Sequence, residues 1–247
     1  MSKNYKFPPI TEAVCEFRFE PSQTWDSTFF GLIYDRLKGS FPKKRQELGV
    51  KIELGQLPEG ARQQVVTGPP RMKFLSEDEK SLVQITNDVI SINKLKPYDK
   101  WDSFKGTILQ SLSAFVEINQ PKAIRRIGTR YINRIEITVD HIDLDEYLLA
   151  VPGLPKEIPQ VFDKWVQRVE VPFPCNGRLI LQSGSIREKG IEGVAFLLDL
   201  DFIIEGPEPM SLGSAEEMIE FAHHSVEDAF EACITDKTRK LFEHGKQ

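Results

Sequence analysis

Two rows of charged residues have the spacing of side chains that share one face of a β-strand. They are Glu12, Glu16 and Glu20 with Arg18 among them, and Arg126, Arg130 and Arg134 with Gly128 between. Residues four apart on a strand point the same way and lie roughly 13 Å apart. If the two strands are sheet neighbours, the acidic and basic rows match in period. We then expect cross-strand pairs on a solvent-facing sheet surface, each contributing about 0.2–1 kcal/mol.

A second interpretation gives the same face a binding role. A late strand adds Asp199 and Asp201 on one face and is apolar on the other. The guanidinium group of arginine can donate two hydrogen bonds to phosphate oxygens, and carboxylates bind Mg²⁺. If this face lines a concave groove, it predicts a metal-dependent phosphohydrolase or a binder of phosphorylated ligands, with Mg²⁺ as cofactor. The residues of that site are Glu16, Arg18, Arg126, Arg130, Arg134, Asp199 and Asp201.

The stretch from 122 to 134 is locally basic and indicates a third alternative, contact with a nucleic-acid backbone. Against it stand 37 acidic and 32 basic residues, a formal charge of −5, and the absence of an aromatic RNA-binding motif. We therefore expect no nucleic-acid partner.

The other polar motifs have ordinary structural explanations. Glu220, His224 and Asp228 share a helix face and could in principle ligate zinc, but a solvated row of Glu–His and His–Asp pairs is the favoured explanation. We therefore predict no metal ligands. Asn133 lies on the apolar side of its strand and is expected to bond a neighbouring backbone, and Cys15 is expected in the core. His141 and His244 have no identifiable partner.

The chain predicts a cytoplasmic protein without a membrane span. Its three cysteines are scattered and odd in number, which argues for a reducing compartment. The start has no apolar signal region, and its longest apolar stretch, from 194 to 204, carries two aspartates and is too short to cross a bilayer.

Hydrophobic periodicity predicts an α+β fold within one domain of two pseudo-repeats, about 7–120 and 121–247. Each half is expected to read strand–helix–several strands–helix, with antiparallel sheet and helices packed on one side, either saddle-like or closed as a tunnel or barrel. Helices are predicted at 25–38, 100–118, 144–149 and 161–166, and from a capping box at Ser214 and Glu217. Strands are predicted at 10–20, 50–54, 63–67, 72–75, 82–86, 89–95, 123–139, 169–173, 178–183 and 193–204.

Two segments resemble the signatures of a known family. They are Phe7-Pro8-Pro9-Ile10-Thr11-Glu12-Ala13-Val14-Cys15-Glu16-Phe17-Arg18-Phe19 and Arg126-Ile127-Gly128-Thr129-Arg130-Tyr131-Ile132-Asn133-Arg134-Ile135. Their pattern is similar to that of a sporadically distributed bacterial family of about this length, which has no assigned activity, substrate or catalytic residue. Patchy distribution accompanies mobile or defence-linked genes, so the resemblance implies a partner-binding or regulatory role.

The leading functional hypothesis is a cytosolic, non-enzymatic binding or regulatory protein that acts through a protein partner. The chain has no HExxH, GxSxG, Walker or GxGxxG motif, so the usual sequence support for hydrolase, NTPase and dinucleotide chemistry is missing. The charged rows can also neutralise each other. No catalytic residue and no cofactor is assigned under this hypothesis.

Overall fold

The computed structural model describes residues 5–22, 24–57, 60–137, 143–159, 164–186 and 193–244. Its strands are β1 Ile10–Glu20, β2 Lys43–Leu57, β3 Gly60–Leu75, β4 Ser81–Ile85, β5 Val89–Leu95, β6 Ala123–Ile137, β7 Val166–Phe173, β8 Gly177–Ile186 and β9 Val194–Ile204. Its α-helices are α1 Thr28–Leu37, α2 Trp101–Asn119, α3 Ala215–Cys233 and α4 Asp236–His244. No described helix is long and apolar enough to cross a membrane.

The strands form one antiparallel sheet in the order β2-β3-β4-β5-β1-β6-β9-β8-β7. In each half the first strand stands at the centre, the last strand pairs with it, and the others run outwards. The predicted α+β class, with antiparallel sheet and helices on one side, is confirmed. The tunnel or barrel alternative is wrong, because the described sheet ends at β2 and β7 and does not close.

The core lies between one face of this sheet and the helices. β1 contributes Ala13, Cys15, Phe17 and Phe19 to it, which are its odd positions. Helix α2 packs against β5 and α1, and α3 packs against β6 and β9. The Phe115 ring of α2 stacks on Phe19, with ring centroids 5.0 Å apart. Strand alternation and helical periodicity therefore place the apolar stripes against each other, as the sequence predicts.

Several element predictions need correction. The strands predicted at 63–67 and 72–75 are parts of β3, and the helix predicted at 144–149 is a short 3-10 turn, Leu144–Glu146. Val166 begins β7, so the helix predicted over 161–166 is wrong at that end, while 161–163 lie outside the described residues. Residues 138–142, including the predicted end of β6 and His141, lie outside them as well.

The predicted capping box of α3 does not form. The Ser214 hydroxyl donates to the Ser211 carbonyl at 2.8 Å instead of accepting a bond from the helix. A 3-10 turn, Leu212–Ser214, leads directly into α3, and Ser211 accepts from the Gly213 N–H. The turn thus takes over the capping role. Helix α4 was not predicted from the sequence.

Replacing Phe115 by alanine tests the packing of the two layers. Because this ring is fully buried, Phe115→Ala should lower the free energy of unfolding by about 3–5 kcal/mol. Leu32→Ala, at a helix position that is 50% exposed, is the matched control and should change it by less than about 0.5 kcal/mol. Urea unfolding measures both; equal effects would contradict this arrangement of layers.

Candidate functional site

The acidic and basic rows lie side by side, as predicted. Strand β1 pairs with β6, and Glu16 stands opposite Gly128 while Val14 stands opposite Arg130. β9 pairs with β6 on its other side, which brings Asp199 and Asp201 next to the arginines. All seven predicted binding residues therefore lie on the sheet face that faces away from the helices, which we call the open face.

Glu16 holds together two arginines that would otherwise repel each other. Arg18 and Arg126 are directly opposite across the β1–β6 pair. Glu16 Oε1 accepts from Arg18 Nε at 2.9 Å and from Arg126 Nη1 at 2.5 Å. Gly128 has no side chain between Arg126 and Asp201, whose charged atoms are 3.9 Å apart. The acidic side chains thus interleave with the basic ones across three strands.

The strongest pair of the open face joins Arg130 and Asp199. The guanidinium donates to both carboxylate oxygens, Nε to Oδ1 at 2.7 Å and Nη2 to Oδ2 at 2.5 Å. Gln182 adds a bond to Oδ2 at 3.2 Å, and Asp199 is almost fully buried. Bidentate charge-assisted pairs of this kind are among the stronger hydrogen-bonded contacts in proteins. The fork of Arg130 is therefore already occupied.

The same holds for the other arginines of the basic stretch. Arg134 Nε donates to Glu136 at 2.7 Å, and Arg125 contacts Glu20 at 2.6 Å. A phosphate group would have to displace these carboxylates. This geometry fits cross-strand pairing best, while phosphate, Mg²⁺ and nucleic-acid binding by this face stay untested predictions.

A pocket of about 150 Å³ lies on the opposite, helix-covered face. Its floor comes from Tyr131 and Asn133 of β6, and one wall comes from α3. The segment before β1 and the connection between β5 and α2 supply the remaining walls. Four carboxylates and one lysine line it, namely Asp99, Glu227, Asp228, Glu231 and Lys100. Its lining is thus aromatic and acidic.

A buried histidine forms the centre of the pocket wall. His223 stacks on Trp101 with ring centroids 3.9 Å apart and planes 9° apart. Its Nδ1 is 2.9 Å from the Tyr131 hydroxyl, which is 3.1 Å from the Tyr98 hydroxyl. Burial raises the pKa of both tyrosines, so these phenols are neutral at physiological pH. The chain of hydroxyls fixes the orientation of the imidazole ring.

Among the described residues, the group whose side-chain atoms could hold a metal ion is His223, His224 and Glu227. This differs from the helix face considered in the sequence, Glu220, His224 and Asp228. In the structure Glu220 joins α3 to α2, because it accepts hydrogen bonds from the Trp101 indole at 2.9 Å and from Lys105 at 2.6 Å. It remains 3.8 Å from His224.

The sequence contains a signal for the burial of His223, which is not among the predicted site residues. The buried stripe of α3 runs through Ile219, Ala222, Val226 and Cys233, and His223 falls within it at helical spacing. A histidine within an apolar stripe needs a polar partner from another element. That partner, Tyr131, lies 92 positions earlier in the chain, so the sequence alone does not identify it.

Two smaller predictions are confirmed. The Asn133 amide donates to the Leu198 carbonyl of β9 at 3.1 Å and to the Tyr131 carbonyl at 3.3 Å. These bonds use Nδ2, and Oδ1 is the remaining acceptor of this pocket-lining side chain. Cys15 is fully buried, and burial raises its pKa to about 12, which keeps the thiol protonated.

No known family model matches the chain, and comparison with curated proteins likewise finds no match.

Replacing Asp201 or Asp199 of the open face by asparagine should change the free energy of unfolding in opposite directions. Burial raises the pKa of Asp201, although Arg126 and Arg130 oppose this effect. Its ionised form is therefore disfavoured in the folded chain, and Asp201→Asn should increase the free energy of unfolding at pH 7. This gain should fade as the pH falls towards the ordinary value of 3.8, because the native carboxyl is then protonated in both states.

Asp199→Asn is the matched variant. It should decrease the free energy of unfolding at pH 7 by about 1–2 kcal/mol, because hydrogen bonds from Arg130 lose their charged acceptor and Arg130 itself keeps access to water. Urea unfolding of both variants between pH 3 and pH 7 measures the two effects. Changes of the same sign at pH 7 would contradict the pairing described for this face.

Proposed function

We propose that the chain is a cytoplasmic, non-enzymatic binding or regulatory protein that acts through a protein partner. The observation that carries this proposal is an exposed apolar surface at the β7 end of the sheet. Val169 and Val171 of β7 are 47% and 37% exposed, and Phe221 of α3 is 42% exposed. We call this surface the apolar shelf.

The shelf exists because α3 is too narrow to cover the whole sheet. The helix packs on β6 and β9, while β8 and β7 extend beyond it. The Phe221 ring packs edge-on against Phe202 of β9, with centroids 5.6 Å apart. Val171 of β7 lies two strands beyond Phe202, about 10 Å from it at ordinary strand spacing. The side chains of β7 on the helix side of the sheet are thus apolar like those of the core, but they are exposed to solvent.

The shelf has the composition of a protein interface. Exposed aromatic and aliphatic side chains lie on one side of the sheet, and charged residues are kept to the other face of the strand, where Arg168 donates to Glu170 at 2.7 Å. Exposed apolar groups that form a contiguous patch mark interaction sites more often than singly scattered ones do. The charges of the open face are paired with one another, so a partner that used them would have to displace those pairs.

The contact is expected through side chains rather than through addition of a strand to the sheet edge. Pro172 of β7 has no N–H to donate, and proline on an edge strand is a common barrier to further pairing. A cytoplasmic location fits the cysteines: Cys15, Cys175 and Cys233 are all free thiols. A regulatory role in a mobile or defence-linked system is the form of this proposal that the sequence resemblance favours.

The double variant Val169→Glu/Val171→Glu tests the shelf. Affinity-tagged chain purified from the cells that naturally produce it should bring down a stoichiometric protein partner. The double variant should weaken this association by about 10-fold or more, because a carboxylate would be buried without a partner in the complex. Quantitative mass spectrometry of the purified complex, followed by affinity measurement with the recovered partner, gives the result.

Leu32→Glu is the matched control, since it places the same charge at an exposed leucine of α1, away from the shelf. It should leave the association unchanged. Recovery of no stoichiometric protein, or equal loss with Leu32→Glu, would refute the proposal.

A further inference from the structure

The pocket wall carries three metal-ligating groups within one turn of α3. His223 Nε2 is 3.2 Å from Glu227 Oε1, and His224 Nδ1 is 3.4 Å from Glu227 Oε2. One atom from each of the three side chains lies within 4.8 Å of the others. Two ligands of a tetrahedral zinc ion are about 3.3 Å apart, given zinc–ligand bonds of about 2.0–2.1 Å. The two observed histidine–glutamate spacings, one to each oxygen of Glu227, are close to that value.

His223 is oriented as a metal-bound histidine is. Its Nδ1 is engaged by the Tyr131 hydroxyl, and the Trp101 ring covers one face of the imidazole. A ligating histidine characteristically bonds its second ring nitrogen to a fixed polar group, which sets the tautomer and the ring direction. With a metal ion in place of the proton on Nε2, Nδ1–H would donate to the Tyr131 hydroxyl, which in turn donates to Tyr98, and the Nε2 lone pair would bind the ion beside Glu227.

The surrounding charges favour a cation. The carboxyl groups of Asp99, Glu227, Asp228 and Glu231 line the pocket beside one lysine, Lys100. His224 is 63% exposed at the pocket mouth, so an ion from solvent reaches the cluster without local unfolding.

We propose that His223, His224 and Glu227 form a binding site for one divalent transition-metal ion, of the class to which Zn²⁺ belongs. Two imidazoles and one carboxylate suit Zn²⁺ better than Mg²⁺, which prefers oxygen ligands and retains its water. Three protein ligands leave a fourth position for water or another ligand. The site is independent of the apolar shelf, so either assignment can fail without the other.

Titration with the metal alone tests this site. Tag-free chain carrying Cys175→Ser, which removes an exposed thiol, is treated with a chelator and then titrated with Zn²⁺ by calorimetry. It should bind one equivalent. His224→Ala and Glu227→Gln should each weaken binding by about 10-fold or more, and Co²⁺ should give the visible absorption of a tetrahedral site in the parent protein but not in these two variants.

Asp228→Asn is the matched control, because it removes a carboxylate from the same helix and pocket without removing a proposed ligand. It should bind nearly as the parent does. Tyr131→Phe should weaken binding by about 10-fold, as loss of a partner behind a ligand typically does. Circular dichroism checks that each variant is folded, and the exposed position of His224 makes His224→Ala the decisive variant.

The proposal is overturned if no equivalent of Zn²⁺ binds. It is overturned equally if His224→Ala and Asp228→Asn weaken binding to the same extent, because general attraction by an acidic surface would then explain the result. The three side chains would in that case be ordinary ion pairs along a helix.

Discussion

The antiparallel register between β1 and β6 is the constraint on which the rest of the molecule depends. It places Ala13 opposite Tyr131 and Cys15 opposite Thr129, so the odd positions of both strands face the helices. A slip of one residue would turn Phe17 to solvent and bring the charged rows into the core. Because that exchange would bury unpaired charge and expose the apolar face, the side-chain pattern specifies the register strongly. Both faces of the sheet, and therefore both candidate sites, follow from this single pairing.

The same pairing explains why the pocket lies where it does. β1 begins the first half and β6 begins the second, and each has the last strand of its own half on its outer side. Helices α2 and α3 follow those last strands and cover the two halves separately. The pocket is bounded by the start of α2, the side of α3 and the segment before β1. It thus lies between the parts of the sheet that α2 and α3 cover, and clefts between packed elements are common places for ligands.

Sequence reasoning predicted the parts that depend on local pattern. The bounds of β1 and β5, the stripe of α2 and the backbone bonds of Asn133 all follow from alternation, helical spacing or the need to satisfy a buried amide. It failed where the outcome depends on a contact that the periodicity of the segment does not show. His223 is a pocket residue only because Trp101 and Tyr131 meet it from other elements. Ser214 is displaced from its capping role by a preceding 3-10 turn, which competes for the same hydrogen bonds. Local spacing carries no information about either event.

Helix α3 carries both proposed binding surfaces, and its periodicity keeps them apart. Phe221 and His223 are two positions apart, which is about 200° around a helix, so one faces the apolar shelf and the other faces the pocket. Between these directions Ile219, Ala222 and Val226 hold the helix against the sheet. A helix fixed in this way presents its polar groups in a set geometry, and that lowers the entropy lost when a ligand binds. On the open face a ligand would gain less free energy from the arginines, because they already donate hydrogen bonds to carboxylates. Both proposed binding surfaces therefore lie on the side of the sheet that the helices cover incompletely, and a ligand of the open face would have to compete with carboxylates that are already bound to its arginines.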